Sequence, residues 1–145
     1  FSDSGDNLTS TTTNYSDLSC VSQSFIFKKK FNSFVLNNNK TITSQNQIIF
    51  KFTASIAGIS IEPKTSFASS SFNGSNYCEF SSWNSGSEKS VAGLTCNSNT
   101  HKSVNDDYFD IVQMDSEKTF IRLGNINNTA RTGYPKTLYT LEYYK

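Results

Sequence analysis

The sequence predicts an all-β domain of about eight antiparallel strands, arranged as an up-and-down barrel or, alternatively, as a β-sandwich. Three observations predict this class. Runs rich in aromatic and β-branched residues alternate with turn residues at intervals of roughly 8–15 positions. No segment shows the apolar periodicity of a convincing amphipathic helix. Two of the three cysteines, Cys78 and Cys96, are spaced so that a hairpin would bring them together.

The first half of the domain is predicted to contain the clearest strand of the sequence. Asn37 to Lys40 form a turn signal, and Gly58 is expected to break the strand that precedes it. Ile48 to Ile56 alternates apolar and polar residues and is the clearest strand in the sequence. The strand-like runs in this half are 24–28 and 31–36, which form one long bent strand or two short ones, and 48–56.

A hairpin is predicted from residues 76–83 and 90–96. Folding the chain about Ser87 places Cys78 opposite Cys96, at the separation across antiparallel strands that a disulfide requires. We therefore predict a Cys78–Cys96 disulfide. In the chain-entropy model, closing this loop stabilises the fold by roughly 3 kcal/mol.

The second half continues with a further hairpin and a closing strand. Residues 108–114 and 119–123 flank the turn residues 115–118, and a polar loop follows over 125–135. Residues 137–144 carry apolar side chains on both faces, as expected for a strand that packs on two sides.

Length and composition predict a single domain over 19–145, preceded by a flexible polar segment over 1–18. Thirteen basic and twelve acidic residues leave a formal charge of +1, so no strong field favours nucleic acid. No run reaches the roughly 20 apolar residues of a membrane-spanning helix.

An exported protein is expected, whether periplasmic, anchored to an outer membrane or extracellular. The polar, cysteine-containing composition predicts an oxidising compartment. A lipobox cysteine directly before Phe1 would make the chain a lipoprotein, tethered to a membrane through that missing anchor. The third cysteine, Cys20, is predicted to be a buried structural thiol, although a free thiol or a bond to a cysteine outside this sequence stays open.

No residue pattern predicts an enzyme, a cofactor or a metal site. His101 is the only histidine and is expected to be exposed in a loop. Asp106, Asp107 and Asp110 are interpreted as solvated carboxylates rather than calcium ligands, because their spacing lacks the glycine of a calcium loop.

The order of strands and turns in residues 72–145 resembles that of small lipocalin-like domains. The resemblance rests on Tyr77-Cys78 to Trp83, Gly93 to Cys96, Asp110 to Val112, a strand from Thr119 to Gly124, Arg131, and Pro135 to Leu138 before a final strand. Such domains occur in bacterial lipoproteins and in the ectodomains of a Wnt-inhibiting membrane family. The resemblance implies a barrel whose mouth holds an apolar or amphipathic molecule.

Five residues are the candidate ligand-binding positions. Aromatic side chains at loop edges can contact a ligand, and an arginine can either orient an anionic head group or pair with a surface carboxylate. These candidates are Trp83, Tyr108, Arg122, Arg131 and Tyr134.

The leading hypothesis for function is a non-enzymatic exported protein that binds a small hydrophobic ligand in a barrel. The alternative is a surface adhesin or inhibitor that contacts a cell-surface partner, a protein or a glycan, through loops 97–105 and 125–135. A hydrolase is the third and least favoured hypothesis, because the acidic residues are scattered without a catalytic signature.

Overall fold

The computed structural model describes residues 2–3, 7–42, 48–114, 120–124 and 138–144. These residues form ten strands, one α-helix and one turn of 3₁₀-helix. The strands are β1 (Ser2–Asp3), β2 (Leu8–Tyr15), β3 (Gln23–Ile42), β4 (Ile48–Pro63), β5 (Lys89–Ser90), β6 (Thr95–Cys96), β7 (Asn99–Thr100), β8 (Asp107–Met114), β9 (Phe120–Gly124) and β10 (Leu138–Tyr144). The helices are α1 (Ser66–Gly74) and the 3₁₀-helix Tyr77–Glu79.

Most of the strands belong to one antiparallel sheet in the order β1-β2-β3-β4-β8-β9-β10, with β5 added beside β4. The sheet curls like half of a barrel. Neighbours in the sheet follow the chain order except between β4 and β8, where the chain leaves the sheet to form α1 and the disulfide-bonded region. The prediction of a mostly β, antiparallel fold is confirmed, and the closed eight-stranded lipocalin-like barrel stays a prediction.

The pairing of β3 with β4 dominates the sheet and corrects two details of the prediction. Residues 24–36 form part of one long strand, and the predicted turn at Asn37 to Lys40 lies inside it, since Asn37 pairs with Lys51 and Thr41 with Ile49. Gly58 does not end β4. It pairs with Lys30 beside a register shift, so the strand continues past the glycine through an irregularity instead of stopping.

The segment 1–18, predicted to be a flexible tether, contributes β1 and β2. β2 has the sequence LTSTTTNY and pairs along its whole length with β3, from Leu8 opposite Phe31 to Tyr15 opposite Gln23. Four β-branched threonines favour an extended strand, and the aromatic-rich β3 supplies the partner. β2 therefore belongs to the main sheet, although it lies in the segment that the sequence prediction described as flexible.

The helix α1 was not predicted. Thr65 caps it by accepting a hydrogen bond from the Ala68 amide at 3.1 Å. Ser69 and Ala68 are buried, and the Phe72 ring packs edge-on against Phe25 of β3 at 5.5 Å. A Ser-rich helix of nine residues carries too few apolar positions to show a helical period. Within the described ranges, no helix is long and apolar enough to cross a membrane.

The core lies on the inner face of the curled sheet. Phe52, Ala54 and Ile56 of β4 are buried, as the alternation of residues 48–56 predicted. Phe31 of β3 and Tyr108 of β8 flank them, with their ring centroids 4.8 Å apart. The other buried apolar residues of this cluster are Ile59, Ile61, Cys78, Trp83, Val91, Cys96 and Val112.

The region between β4 and β8 does not form the predicted hairpin of residues 76–96. β5 pairs with β4, so that Ser90 lies opposite Ser60, and β6 pairs with β7 in a separate small hairpin. Cys78 lies in the 3₁₀-helix rather than in a strand. Packing of apolar side chains against the main sheet outweighed the local hairpin pairing that the spacing suggested.

Candidate functional site

The loop that joins β2 to β3, residues 16–22, is organised around the Asp17 carboxylate. Asp17 accepts hydrogen bonds from the Ser19 hydroxyl at 2.6 Å, from the Ser22 amide at 2.6 Å and from the Val21 amide at 3.2 Å. The Ser16 amide closes the loop by donating to the Ser22 carbonyl at 2.9 Å. The hydrogen bond from Ser19 and those from the two amides hold the pKa of Asp17 far below its ordinary value.

This loop presents two apolar side chains to solvent. Leu18 is fully exposed, and Val21 keeps 76% of its surface exposed. The Asp17 hydrogen bonds fix the backbone on both sides of them, so the two side chains project from a defined turn. Exposed apolar residues that project from an ordered loop are typical of contact surfaces.

A third exposed apolar side chain lies at the same end of the sheet. β2 ends at Tyr15, and β4 ends at Pro63, opposite Phe25 of β3. The Lys64 amide donates to the Ser24 carbonyl, and α1 begins two residues later, so the start of the helix lies at the end of the sheet that carries the 16–22 loop. Phe67, in the first turn of α1, is 79% exposed. Leu18, Val21 and Phe67 are the three most exposed of the large apolar side chains whose burial is described. We call this set of three side chains the apolar end.

Cys20 also lies in the loop at the apolar end. It is exposed and carries a free thiol, and its backbone has a φ of 55°. The prediction of a buried structural thiol is therefore wrong. The residue lies in the loop that joins β2 to β3, and loops that connect strands usually run over the protein surface.

The predicted Cys78–Cys96 disulfide is present. Both cysteines are buried, and the His101 side chain lies beside them: a nitrogen of its ring and the two sulfur atoms all lie within 4.8 Å of one another. The hairpin of β6 and β7 places His101, which directly follows β7, on the same side as Cys96.

His101 is half-buried, which corrects the prediction of an exposed loop residue. Its ring packs against the Phe27 ring at 5.5 Å, and its Nε2 atom is buried without a hydrogen-bond partner. Burial, and then the positive charge of Lys29, lower the pKa of His101.

Two of the predicted ligand-binding residues, Trp83 and Tyr108, belong to the same buried core cluster. Trp83 is buried in the core, and its indole Nε1 donates to the Tyr77 carbonyl at 3.0 Å. Tyr108 is buried in β8. Arg122 lies in β9, opposite Gln113 of β8, and the predictions for Arg131 and Tyr134 lie outside the described residues. Ligand binding by these five residues stays a prediction.

The aspartates near residue 110 differ in their environments. Asp110 is fully buried and accepts hydrogen bonds from the Tyr108 hydroxyl and the Ile111 amide, both at 2.8 Å, so its interpretation as a solvated carboxylate is wrong. It lies on the inner face of β8, opposite Phe52. Asp106 and Asp107 are exposed, as expected, and Asp106 accepts a hydrogen bond from the Ser103 amide at 2.7 Å.

Three consecutive lysines, Lys28, Lys29 and Lys30, belong to β3, and the first of them is paired with acidic residues. Lys28 forms ion pairs with Glu88 and, at 3.7 Å, with Glu62, and Ser60 donates a hydrogen bond to Glu88 at 2.6 Å. The hydrogen bond from Lys28 lowers the pKa of Glu88. The charge of Lys28 is therefore balanced by two glutamates.

Sequence reasoning missed the apolar end. The only local signal was the pair Leu18 and Val21, apolar residues inside the turn-forming sequence around Asp17 and its neighbouring serines. An apolar residue inside a turn sequence is not part of a strand or helix pattern with a buried face, so its position in the turn indicated that it is exposed. Neither a scan against protein-family models nor a search of curated proteins matched this chain.

Proposed function

We propose that the chain is a non-enzymatic, exported interaction module that inserts its apolar end into an apolar cleft of a partner protein. The observation that carries the proposal is the placement of Leu18, Val21 and Phe67 at one end of the sheet, each at least three-quarters exposed. Isolated exposed apolar residues are ordinary on a protein surface, whereas a group of large ones at one end favours an interface.

The energetics of the loop support this proposal. Complete burial of a leucine, valine or phenylalanine side chain contributes about 1.5–3 kcal/mol. Binding normally opposes such gains with the cost of ordering a loop. The hydrogen bonds of Asp17 already order residues 16–22, so this cost is reduced before the partner arrives.

Charge favours a protein cleft over a membrane surface. The 16–22 loop contains one acidic residue, Asp17, and no lysine or arginine. Peripheral membrane contacts combine apolar side chains with basic ones, which attract anionic lipids. An apolar tip beside a carboxylate is better complemented by an apolar cleft with a polar or basic rim.

The buried disulfide supports export. Disulfides persist in oxidising compartments, and Cys78 and Cys96 are joined in the core of this domain. An exported module that meets its partner outside the reducing cytosol fits both the disulfide and the exposed apolar end.

Site-directed crosslinking tests the proposal, because Cys20 supplies a thiol inside the contact loop. A benzophenone maleimide attached to Cys20 should capture a partner from the host's surface and secreted fractions. Binding of that purified partner is then titrated against Leu18→Ser/Val21→Ser and against Val104→Ser. Val104 is a matched control, because it is 50% exposed and lies outside the apolar end.

We expect saturable binding that weakens by at least about tenfold in the double variant and by less than about twofold in Val104→Ser, since complete burial of one leucine or valine contributes about 1.5–3 kcal/mol and tenfold corresponds to about 1.4 kcal/mol. Equal affinity in all three proteins would refute the apolar end as the interface. Binding of the unlabelled protein to neutral phosphatidylcholine vesicles, lost in the double variant, would assign the surface to lipid instead.

A second candidate function is favoured by the curled sheet with its aromatic inner face. The inner face of the half-barrel carries the rings of Phe31, Phe52 and Tyr108, which pack in the core, and the lipocalin-like resemblance implies an apolar ligand held at the mouth of such a barrel. Native mass spectrometry of protein purified from its host should then show a bound apolar molecule. A ligand-free spectrum would leave the interaction module as the only candidate.

A further inference from the structure

Three separate segments place metal-binding atoms at one point of the core. Cys78 belongs to the 3₁₀-helix, Cys96 is the last residue of β6, and His101 follows β7. One atom from each residue, a sulfur or an imidazole nitrogen, lies within 4.8 Å of the other two. They form the one group of three or more metal-ligating side chains found in the described part of the chain.

An independent observation concerns the imidazole. His101 Nε2 is buried and has no hydrogen-bond partner. A buried polar nitrogen is normally hydrogen-bonded, and an orphaned one calls for an explanation. In the neutral tautomer that carries its proton on Nδ1, the Nε2 lone pair is available for a metal ion.

We propose that reduction of the Cys78–Cys96 disulfide converts this cluster into a three-ligand site for a zinc ion. Thiolate sulfur and imidazole nitrogen are the donors that Zn²⁺ prefers. Three protein ligands leave a fourth tetrahedral position for water or another small ligand. The disulfide-bonded and metal-bound states are mutually exclusive, because a sulfur in a disulfide is not a thiolate.

The redox step requires a reductant. A trialkylphosphine breaks the sulfur–sulfur bond by giving two electrons to the sulfur atoms and is oxidised to the phosphine oxide, with water supplying the oxygen and two protons. A dithiol serves equally as the reductant and becomes a disulfide. Zinc binding then releases the two thiol protons.

Charge balance suits a buried site. Two thiolates carry a total charge of −2, which Zn²⁺ cancels, and a neutral imidazole adds none. Cys78 and Cys96 are buried, where a net charge would be costly. The four residues between Cys96 and His101 form a tight hairpin, comparable in length to the short spacers of structural zinc sites.

Cobalt binding tests the proposal directly. The protein would carry Cys20→Ser, so that the exposed thiol contributes nothing, and would be titrated with Co²⁺ before and after treatment with a water-soluble phosphine. We expect one Co²⁺ per reduced chain, with the thiolate charge-transfer absorption and visible bands of a tetrahedral site. Zn²⁺ should displace the cobalt, and the oxidised protein should bind at least about tenfold more weakly.

His101→Ala distinguishes a three-ligand site from a pair of thiols, and Ser98→Ala in the exposed turn of the same hairpin is the matched control. The histidine variant should lose at least about tenfold in affinity, because even partners outside the ligand set contribute about 10–100-fold. Unchanged affinity in His101→Ala, or no difference between reduced and oxidised protein, would overturn the proposal.

Circular dichroism, recorded alongside, covers the case in which the reduced chain unfolds. Refolding on addition of Zn²⁺, dependent on His101, supports the proposal, since metal binding then drives folding. A reduced chain that stays unfolded and binds no Co²⁺ refutes it.

Discussion

The side chain of Asn73 fixes the end of α1 to the core, and its removal gives the sharpest test of the fold. Its Oδ1 accepts a hydrogen bond from the Trp83 amide at 2.5 Å, and its Nδ2 donates to the Trp83 carbonyl at 3.0 Å. Trp83 is almost completely buried, so water does not readily replace either bond. Asn73→Ala therefore leaves a donor and an acceptor of the backbone without partners.

The expected cost follows from these two groups. Each hydrogen bond contributes about 0.5–1.5 kcal/mol net, and a buried group left without a partner costs about 1–3 kcal/mol. Alanine recovers roughly 0.5 kcal/mol through its higher helix propensity. We expect the free energy of unfolding to fall by about 1.5–5.5 kcal/mol in total. For a chain of 145 residues this lowers Tm by roughly 5–18 °C.

Urea unfolding followed by the fluorescence of Trp83 measures this change, because it is the only tryptophan. Ser70→Ala is the control, since Ser70 is exposed on the same helix and its substitution should stay within about 0.5 kcal/mol of the parent. Asn73→Asp keeps the acceptor and loses the Nδ2 donor, so its stability should be intermediate. A cost of less than about 0.5 kcal/mol for Asn73→Ala would refute the reasoning.

Three further predictions concern the loop, the disulfide and the core. Because its pKa is depressed, Asp17 should stabilise the loop below pH 3.8 and lose this effect only as the pH falls through the folded-state pKa. Hydrogen exchange measures this as the protection of the Ser22 amide, and a loss of protection with a midpoint near pH 3.8 would contradict the prediction. Reduction of the 78–96 disulfide, in a chain without metal, should lower the free energy of unfolding by about 3 kcal/mol, and an unchanged urea midpoint would argue against that cost. Phe31→Ala should cost about 3–5 kcal/mol in the same assay, with exposed Val35→Ala as its control, and equal stability of the two variants would contradict a core role for Phe31.

The strands were predictable where one face is buried and the other is not. Residues 48–56 alternate between apolar and polar side chains because β4 packs Phe52 and Ile56 inward, and this alternation is visible in the sequence. β2 was missed because its threonines are polar enough to resemble a tether, although their branched side chains suit a strand. Its pairing with β3 is a tertiary contact that no local pattern records.

The disulfide was predicted correctly from an incorrect local structure. The spacing of Cys78 and Cys96 is compatible with a hairpin, and it is equally compatible with a 3₁₀-helix packed against a separate hairpin. Sequence separation limits which cysteines can meet but does not fix the backbone that brings them together. The proximity of His101 to both cysteines depends on that backbone, so it was outside the reach of sequence reasoning.

The long pairing of β3 with β4 has a consequence for how the chain folds. The paired residues are six positions apart at Ile42 and Ile48 and thirty-eight apart at Phe25 and Pro63. Each new pair adds only a small loop-closure cost to the one before it, so the ribbon can form progressively from its short end. This local topology favours early formation of the β3–β4 ribbon, onto which β2 and β8 then add. The apolar end, at the far end of that ribbon, would be among its last parts to order.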